Sequence, residues 1–209
     1  MTQEARDRVN SYLTDMLALE EHIEKALDGQ LEDFKDEDPE IISKLRSIHA
    51  QAEHHITEIK TLAEARDIGT GRGFADAVKR VGATFAGFGA AAIDLVRTER
   101  LPKNLRDDYT ALNLAVSGYV MLLTTARALD ANQVADLAER HVRHYAQAVM
   151  TVHDLIPRAV INFLREENLP LKGGDVLPEI YRTMEDIWRA PQTASTAGAA
   201  TGSAGFGKN

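Results

Sequence analysis

An all-α fold is what this sequence predicts, and three observations carry the prediction. The chain is 44% hydrophobic but only 6% aromatic, a balance that suits helices rich in Ala and Leu better than a sheet-rich sandwich. Apolar residues recur at helical spacing through four long stretches, which gathers them on one face of each. Proline falls mostly at the borders of those stretches, where helices accept it. At 209 residues the chain is longer than one small core requires, so one domain with appendages is expected.

The first helix is expected from Gln3 to about Leu31, with Val9, Leu13, Met16, Ile23 and Leu27 on its apolar face. Glu20 projects between Met16 and Ile23, in the middle of that stripe. A carboxylate there needs a partner, because burying it unpaired costs several kcal/mol or forces it to take a proton. The connector LEDFKDEDPE follows, with six carboxylates around one Lys. It reads either as a cation-attracting loop or, preferably, as a solvated turn that complements the positive end of the next helix, which Pro39 opens; it lacks EF-hand spacing.

The second helix is expected from about Glu40 to Ala65, striped by Ile41, Leu45, Ile48, Ala52, Ile56, Ile59 and Leu62. His55 lies inside the arc and His49 near its edge, while Glu53 and His54 point outward. His55 is then a metal ligand or a core histidine bonded to a polar neighbour. Asp67 to Phe74, DIGTGRGF, reads as a glycine-rich connector without the Gly-Lys-Ser/Thr ending of a phosphate-binding loop. Ala75 to Arg100 reads as a helix of small residues suited to close packing or a dimer face. Its apolar-or-small run, Val81 to Ile93, is too short to span a bilayer.

A further helix is expected from near Asn104 to about Asp130, with Leu112, Val116, Tyr119, Leu123 and Ala126 on one face and no Asp, Glu or His between Tyr109 and Leu129. The Tyr119 hydroxyl, mid-stripe, needs a polar partner, and Glu20 is the one expected. Gln133 to Asn168 is the longest amphipathic run, with Val134, Leu137, Val142, Tyr145, Val149, Val152 and Ile156 in its arc. His141 falls inside that arc and His144 at its margin; Pro157 should kink or break the helix. After a loop containing Gly173-Gly174, Glu179 to Ala190 reads as a short last helix carrying Trp188. From Pro191 onward the chain is small, polar and unable to bury a core.

The formal net charge of -8 and the absence of a Lys/Arg patch disfavour nucleic acid and anionic membrane surfaces as partners. Zero cysteines exclude disulfides, thiolate ligands and cysteine nucleophiles. The segment MTQEARDRVN lacks the order of a signal peptide, which makes a cytoplasmic location the default expectation. No serine, threonine or lysine is set beside a base by a recognisable motif, so hydrolase and transferase chemistry has no support.

Four long amphipathic segments, an inward Glu on the first and an inward His on the second resemble the ferritin-like four-helix superfamily. The likeness is closest to the Yci-type, stress-associated bacterial branch. It is carried by SYLTDMLALEEHIEKAL at 11 to 27, HAQAEHHITEIKTLAE at 49 to 64, LAERHVRHYAQAVMTVHDLIPRAVINFLREENLP at 137 to 170 and the ending PEIYRTMEDIWR. The resemblance implies an antiparallel bundle assembled as a homodimer or larger homo-oligomer; with the extra small-residue helix and the short C-terminal helix read above, it gives a helical domain over residues 1–190 ahead of a low-complexity flexible tail at 191–209. It also implies a metal centre at mid-height, with Glu20 and His55 matching the carboxylate and histidine of the first two helices.

The chain departs from that pattern. A di-iron centre of this type takes Glu-x-x-His pairs from two helices, but Ala52 and Ala138 stand three residues before His55 and His141. Asn113, Ala115, Arg143 and His144 occupy further ligand places. Too few acids remain to bridge and neutralise two irons. Glu20, His55 and His141, with His144 at the margin, are the candidate metal residues, for no metal or for a single iron or zinc ion. The expectation is a non-catalytic, stress-associated or oligomer-forming bundle with a degenerate metal centre. The alternatives are a mononuclear or reduced di-metal protein with oxidase activity, and a module that binds a protein partner through its tail.

Overall fold

The structure is a computed structural model that describes residues 1–66, 100–171 and 175–187. Four long helices make up most of it: α1, Gln3–Asp33; α2, Pro39–Ala65; α3, Arg100–Ala128; and α4, Asn132–Glu166. The protein is all-α, and no strand occurs among the described residues. No helix among them is long and apolar enough to cross a membrane. The glycine-rich connector, the small-residue helix, Gly173-Gly174, Trp188 and the tail at 191–209 all lie outside the described residues.

The chain divides into two compact units, Met1–Ala159 and Val160–Asn209. The first holds α1, α2, α3 and most of α4. Its core is built from the predicted stripes: Leu13, Leu17 and Leu27 of α1, Ile41, Leu45 and Ile59 of α2, Leu105, Leu112 and Leu122 of α3, and Val134 and Val152 of α4 are all essentially inaccessible. The second unit holds the end of α4 and a short helix over 177–187, α5, whose start is capped by Asp175 Oδ1 accepting from Leu177 N at 3.1 Å.

Cross-helix pairs give the topology. From α1 to α2 the partners run Asn10 with Arg66, Glu20 with His55 and Glu24 with His49, numbers falling as they rise, so the helices are antiparallel. Asp33 with Arg100, Gln30 with Asp108 and Glu20 with Tyr119 make α1 and α3 antiparallel too. Tyr119 with His141 and Arg127 with Asp136 do the same for α3 and α4. Asp38 with Arg158 and Glu58 with His141 do so for α2 and α4. Hence α2 and α3 point the same way, and the chain from 66 to 100 joins opposite ends of the bundle. One such long crossover distinguishes ferritin-like bundles from up-down-up-down ones.

The helix ends follow local chemistry. Asp38 caps α2 by accepting from Glu40 N at 2.9 Å, with Pro39 in the first turn. The acidic connector is anchored as well as solvated: Phe34 is buried, and Arg158 binds Asp38 at 2.6 Å and also pairs with Glu40. Asp130, at φ 55°, and Asn168, at φ 53°, take the left-handed conformation just past α3 and α4, where Ala131 N and Leu169 N close back onto Ala126 O and Leu164 O.

Two boundaries differ from expectation. Pro102 lies within the first turn of α3, where its missing N–H is not needed. Helix α4 runs unbroken through Pro157. Val152, Leu155 and Ala159 on either side of the proline are buried, and that burial offsets the roughly 3 kcal/mol that an interior proline costs.

Candidate functional site

The site forms where the middle stretches of α1, α2 and α3 meet the first half of α4. Glu20, His55 and His141, from α1, α2 and α4, have no accessible surface, and each offers a ligand atom within 4.8 Å of the other two. His144 reaches this cluster through His55, its Nδ1 lying 3.0 Å from His55 Nε2. The structure thus brings together all four residues singled out in the sequence, three at the centre and one behind.

Glu20 is the hub. Its Oε1 accepts from the Tyr119 hydroxyl and faces His55 Nδ1 at 3.1 Å, and its Oε2 accepts from the Tyr145 hydroxyl. The expected Tyr119–Glu20 bond is present. Tyr145, by contrast, was expected only as part of the apolar arc. Both phenols are pushed well above their ordinary range by burial and by the negative charge of Glu20, so they remain donors. His141 Nδ1 lies 2.9 Å from the Tyr119 oxygen, and its Nε2 lies 2.9 Å from Glu58 Oε2. Glu58 also binds Arg140 at 2.8 Å. The His55 and His141 rings stack with centroids 3.7 Å apart.

The electrostatics follow from burial and neighbours. Burial, then the adjacent His55 ring, hold His141 down at about 3 against the pull of Glu58. Burial and His55 lower His144 as well. Burial would raise the Glu58 carboxyl, but hydrogen bonds from His141 and Arg140 and the charge of Arg140 prevail and hold it at about 2.

Proton counting then exposes an imbalance. Six contacts link these side chains: Glu20 to Tyr119, Tyr145 and His55; His55 to His144; and His141 to Tyr119 and Glu58. Each needs one hydrogen. With ionised carboxylates and neutral imidazoles, two tyrosines and three histidines supply one apiece. Five hydrogens serve six contacts on this count; one more hydrogen, or a metal ion in place of some of the contacts, would complete the network.

Glu58 and Tyr145 are the participants that sequence reading missed. A signal for Glu58 exists: it stands three residues after His55 on α2, a His-x-x-Glu order that a search for Glu-x-x-His passes over. The places where a second metal's ligands would stand are otherwise occupied. Ala52, Ala115 and Ala138 are packed in the core, Asn113 bonds its own helix at Tyr109 O, and Arg143 pairs with Glu139 at the surface.

An antiparallel bundle with one long crossover and a buried carboxylate–histidine cluster is a ferritin-like-type fold. Residues 4–165 match the family described as Domain of unknown function (DUF892), and the chain belongs to that family, whose fold is of this type. The crystal structure of a protein from Xanthomonas campestris pv. campestris is similar over 79% of this chain and 99% of that one, with a TM-score of 0.63. At 17% identity that likeness speaks for the fold alone. No curated protein matches the chain.

Proposed function

We propose that the protein is a mononuclear metal-binding helical bundle whose ligands are Glu20, His55 and His141, with at least one coordination position left for an exogenous ligand. The carrying observation is the orientation of the outer partners. The His141 nitrogen turned away from the cluster faces the ionised Glu58, and the outward nitrogen of His55 faces a nitrogen of His144. A metal-bound histidine needs such an acceptor for its remaining N–H. With a cation among the inner atoms, His55 donates to His144, His141 donates to Glu58, both tyrosines donate to Glu20, and the proton deficit disappears.

Two imidazoles and one carboxylate suit Zn²⁺ or Fe²⁺, and bound metal of either kind would supply Lewis-acid or redox chemistry at the open position. Glu58 and His144 fix the tautomers of the ligating rings, while Tyr119 and Tyr145 hold the orientation of Glu20. The acids required to bridge two irons are lacking, which favours one ion over two. Membership of the stress-associated Yci-type branch and assembly as a homo-oligomer belong to the same proposal; the short segment matches quoted above support them. The alternative of a metal-free network rests on the same proton count, with a proton as the cation.

Elemental analysis of protein purified without a chelating tag tests the proposal. Glu20→Ala should lose one equivalent of iron or zinc that the wild type holds at the central cluster. Glu58→Gln keeps all three ligands but should weaken metal binding by about 10- to 100-fold. A wild type without metal, unable to take up Zn²⁺ or anaerobic Fe²⁺, would leave the proton as the cation and sink the metal assignment.

A further inference from the structure

A second group of ligating side chains lies one helical turn along α1 from the central cluster. Glu24 follows Glu20 by four residues, about 6 Å along the helix axis. Opposite it on α2 stand His49 and Glu53, also four apart, so one face of α2 presents both toward α1. His49 Nε2 lies 3.2 Å from Glu24 Oε1, and His49 Nδ1 lies 3.6 Å from Glu53 Oε2. One ligand atom from each of the three falls within 4.8 Å of the others. A tetrahedral ion with bonds of about 2.0 to 2.1 Å has ligands about 3.3 Å apart, so a modest side-chain shift closes the set.

Two features point to a cation rather than to an ordinary surface ion pair. Among the described residues neither Glu24 nor Glu53 pairs with any Lys or Arg, although Lys60 nearby is taken by Glu21 at 2.8 Å. Two carboxylates therefore share a single imidazole. Exposure is also graded across the group: the His49 side chain is 14% exposed and that of Glu24 29%, whereas Glu53 is 58% exposed and lies on the side from which an ion would enter.

We propose that Glu24, His49 and Glu53 form a separate, solvent-accessible site for a divalent transition-metal ion of the Zn²⁺ class. The imidazole selects against Ca²⁺ and Mg²⁺, which prefer all-oxygen shells. Water completes the coordination on the exposed side. The site shares no ligand with the central cluster, so it stands whether or not that cluster holds metal.

Equilibrium dialysis of the full chain against Zn²⁺, followed by elemental analysis, reads both sites together. Glu53→Gln changes an exposed side chain and leaves the fold intact; His49→Ala removes the central ligand. Each should lower the affinity of one equivalent of Zn²⁺ by at least about ten-fold, with helical circular dichroism unchanged. In a Glu20→Ala background the same equivalent should persist and still be lost on adding Glu53→Gln. The proposal is overturned if Zn²⁺ stoichiometry and affinity are the same in wild type, His49→Ala and Glu53→Gln, or if no variant binds Zn²⁺ beyond the equivalent that Glu20→Ala removes.

Discussion

Glu20 accepts from three buried donors, the hydroxyls of Tyr119 and Tyr145 and the Nδ1 side of His55, so replacing it with an apolar residue leaves several polar groups without an acceptor. Glu20→Leu in chelator-treated protein should cost about 3 to 5 kcal/mol, read from urea unfolding; a loss below about 1 kcal/mol would contradict the hub role. Asp108 offers a second test. Its buried carboxyl bonds Gln30 Nε2 at 2.7 Å, while Asp108 Oδ2 and Gln30 Oε1 have no partner among the described residues. Burial, helped by nearby Asp107 and opposed by the Gln30 bond, pushes Asp108 up to about 7. Between the ordinary carboxylate value and that one, the folded protein holds a proton that the unfolded chain has released, so its contribution falls as pH rises through the window. His141 works oppositely, since its depressed value removes stability as pH drops below the free-imidazole range. The Asp108 effect is therefore read as a difference: Asp108→Asn should gain on the wild type between about pH 5 and about pH 8, by up to about 3 kcal/mol. An unchanged difference across that range would show that the carboxyl is not proton-loaded. Helical periodicity made Glu20, His55 and His141 legible in the sequence because it says which residues face inward. It is silent on which neighbour from another helix they meet, and for that reason Glu58, partly exposed on its own helix, and the Tyr145 hydroxyl escaped notice.

At the scale of single helices, periodicity and capping chemistry located α1, α2 and α4 closely. The departures from expectation were the earlier start of α3, with Pro102 in its first turn, and the continuity of α4 through Pro157, which does not break it. Gly29 gives a cleaner measure of local propensity. It sits near the end of α1, exposed, with open space where a Cβ would stand. Gly29→Ala should stabilise the protein by about 0.5 to 1 kcal/mol through the lower backbone entropy of the unfolded chain, seen as a higher denaturation midpoint at constant m-value. Gly118 is the contrasting case. A Cβ there would lie 2.6 Å from Met16 Sδ, so the close approach of α3 to α1 uses the missing side chain. Gly118→Ala should gain nothing comparable, because the same change in propensity is countered by displacement of Met16 from a filled core.

For the molecule as a whole, a bound ion and the folded state are thermodynamically linked, because the three central ligands come from three helices and converge only when the bundle is assembled. Free metal at about one hundred times its dissociation constant should add about 2.7 kcal/mol to the unfolding free energy. A chelator should reverse this, lowering Tm by more in the wild type than in Glu20→Ala; scanning calorimetry distinguishes the two. The sequence made the bundle class legible through its four stripes. The order in which the helices neighbour one another was not legible, since it resides in cross-helix pairs such as Gln30 with Asp108 that no single helix encodes.

The crossover between α2 and α3 carries a kinetic consequence. Short connections make α1–α2 and α3–α4 two local hairpins, each able to form early because its contacts are near in sequence. Glu20 and His55 belong to the first hairpin, and Tyr119, His141, His144 and Tyr145 to the second. The bonds that join the two halves, Glu20 with Tyr119 and Tyr145, His55 with His144, and Glu58 with His141, then close only when the hairpins dock, late in folding. Metal held there would leave no faster than the hairpins part, so its dissociation rate should follow the opening of the bundle rather than the strength of the coordination bonds alone.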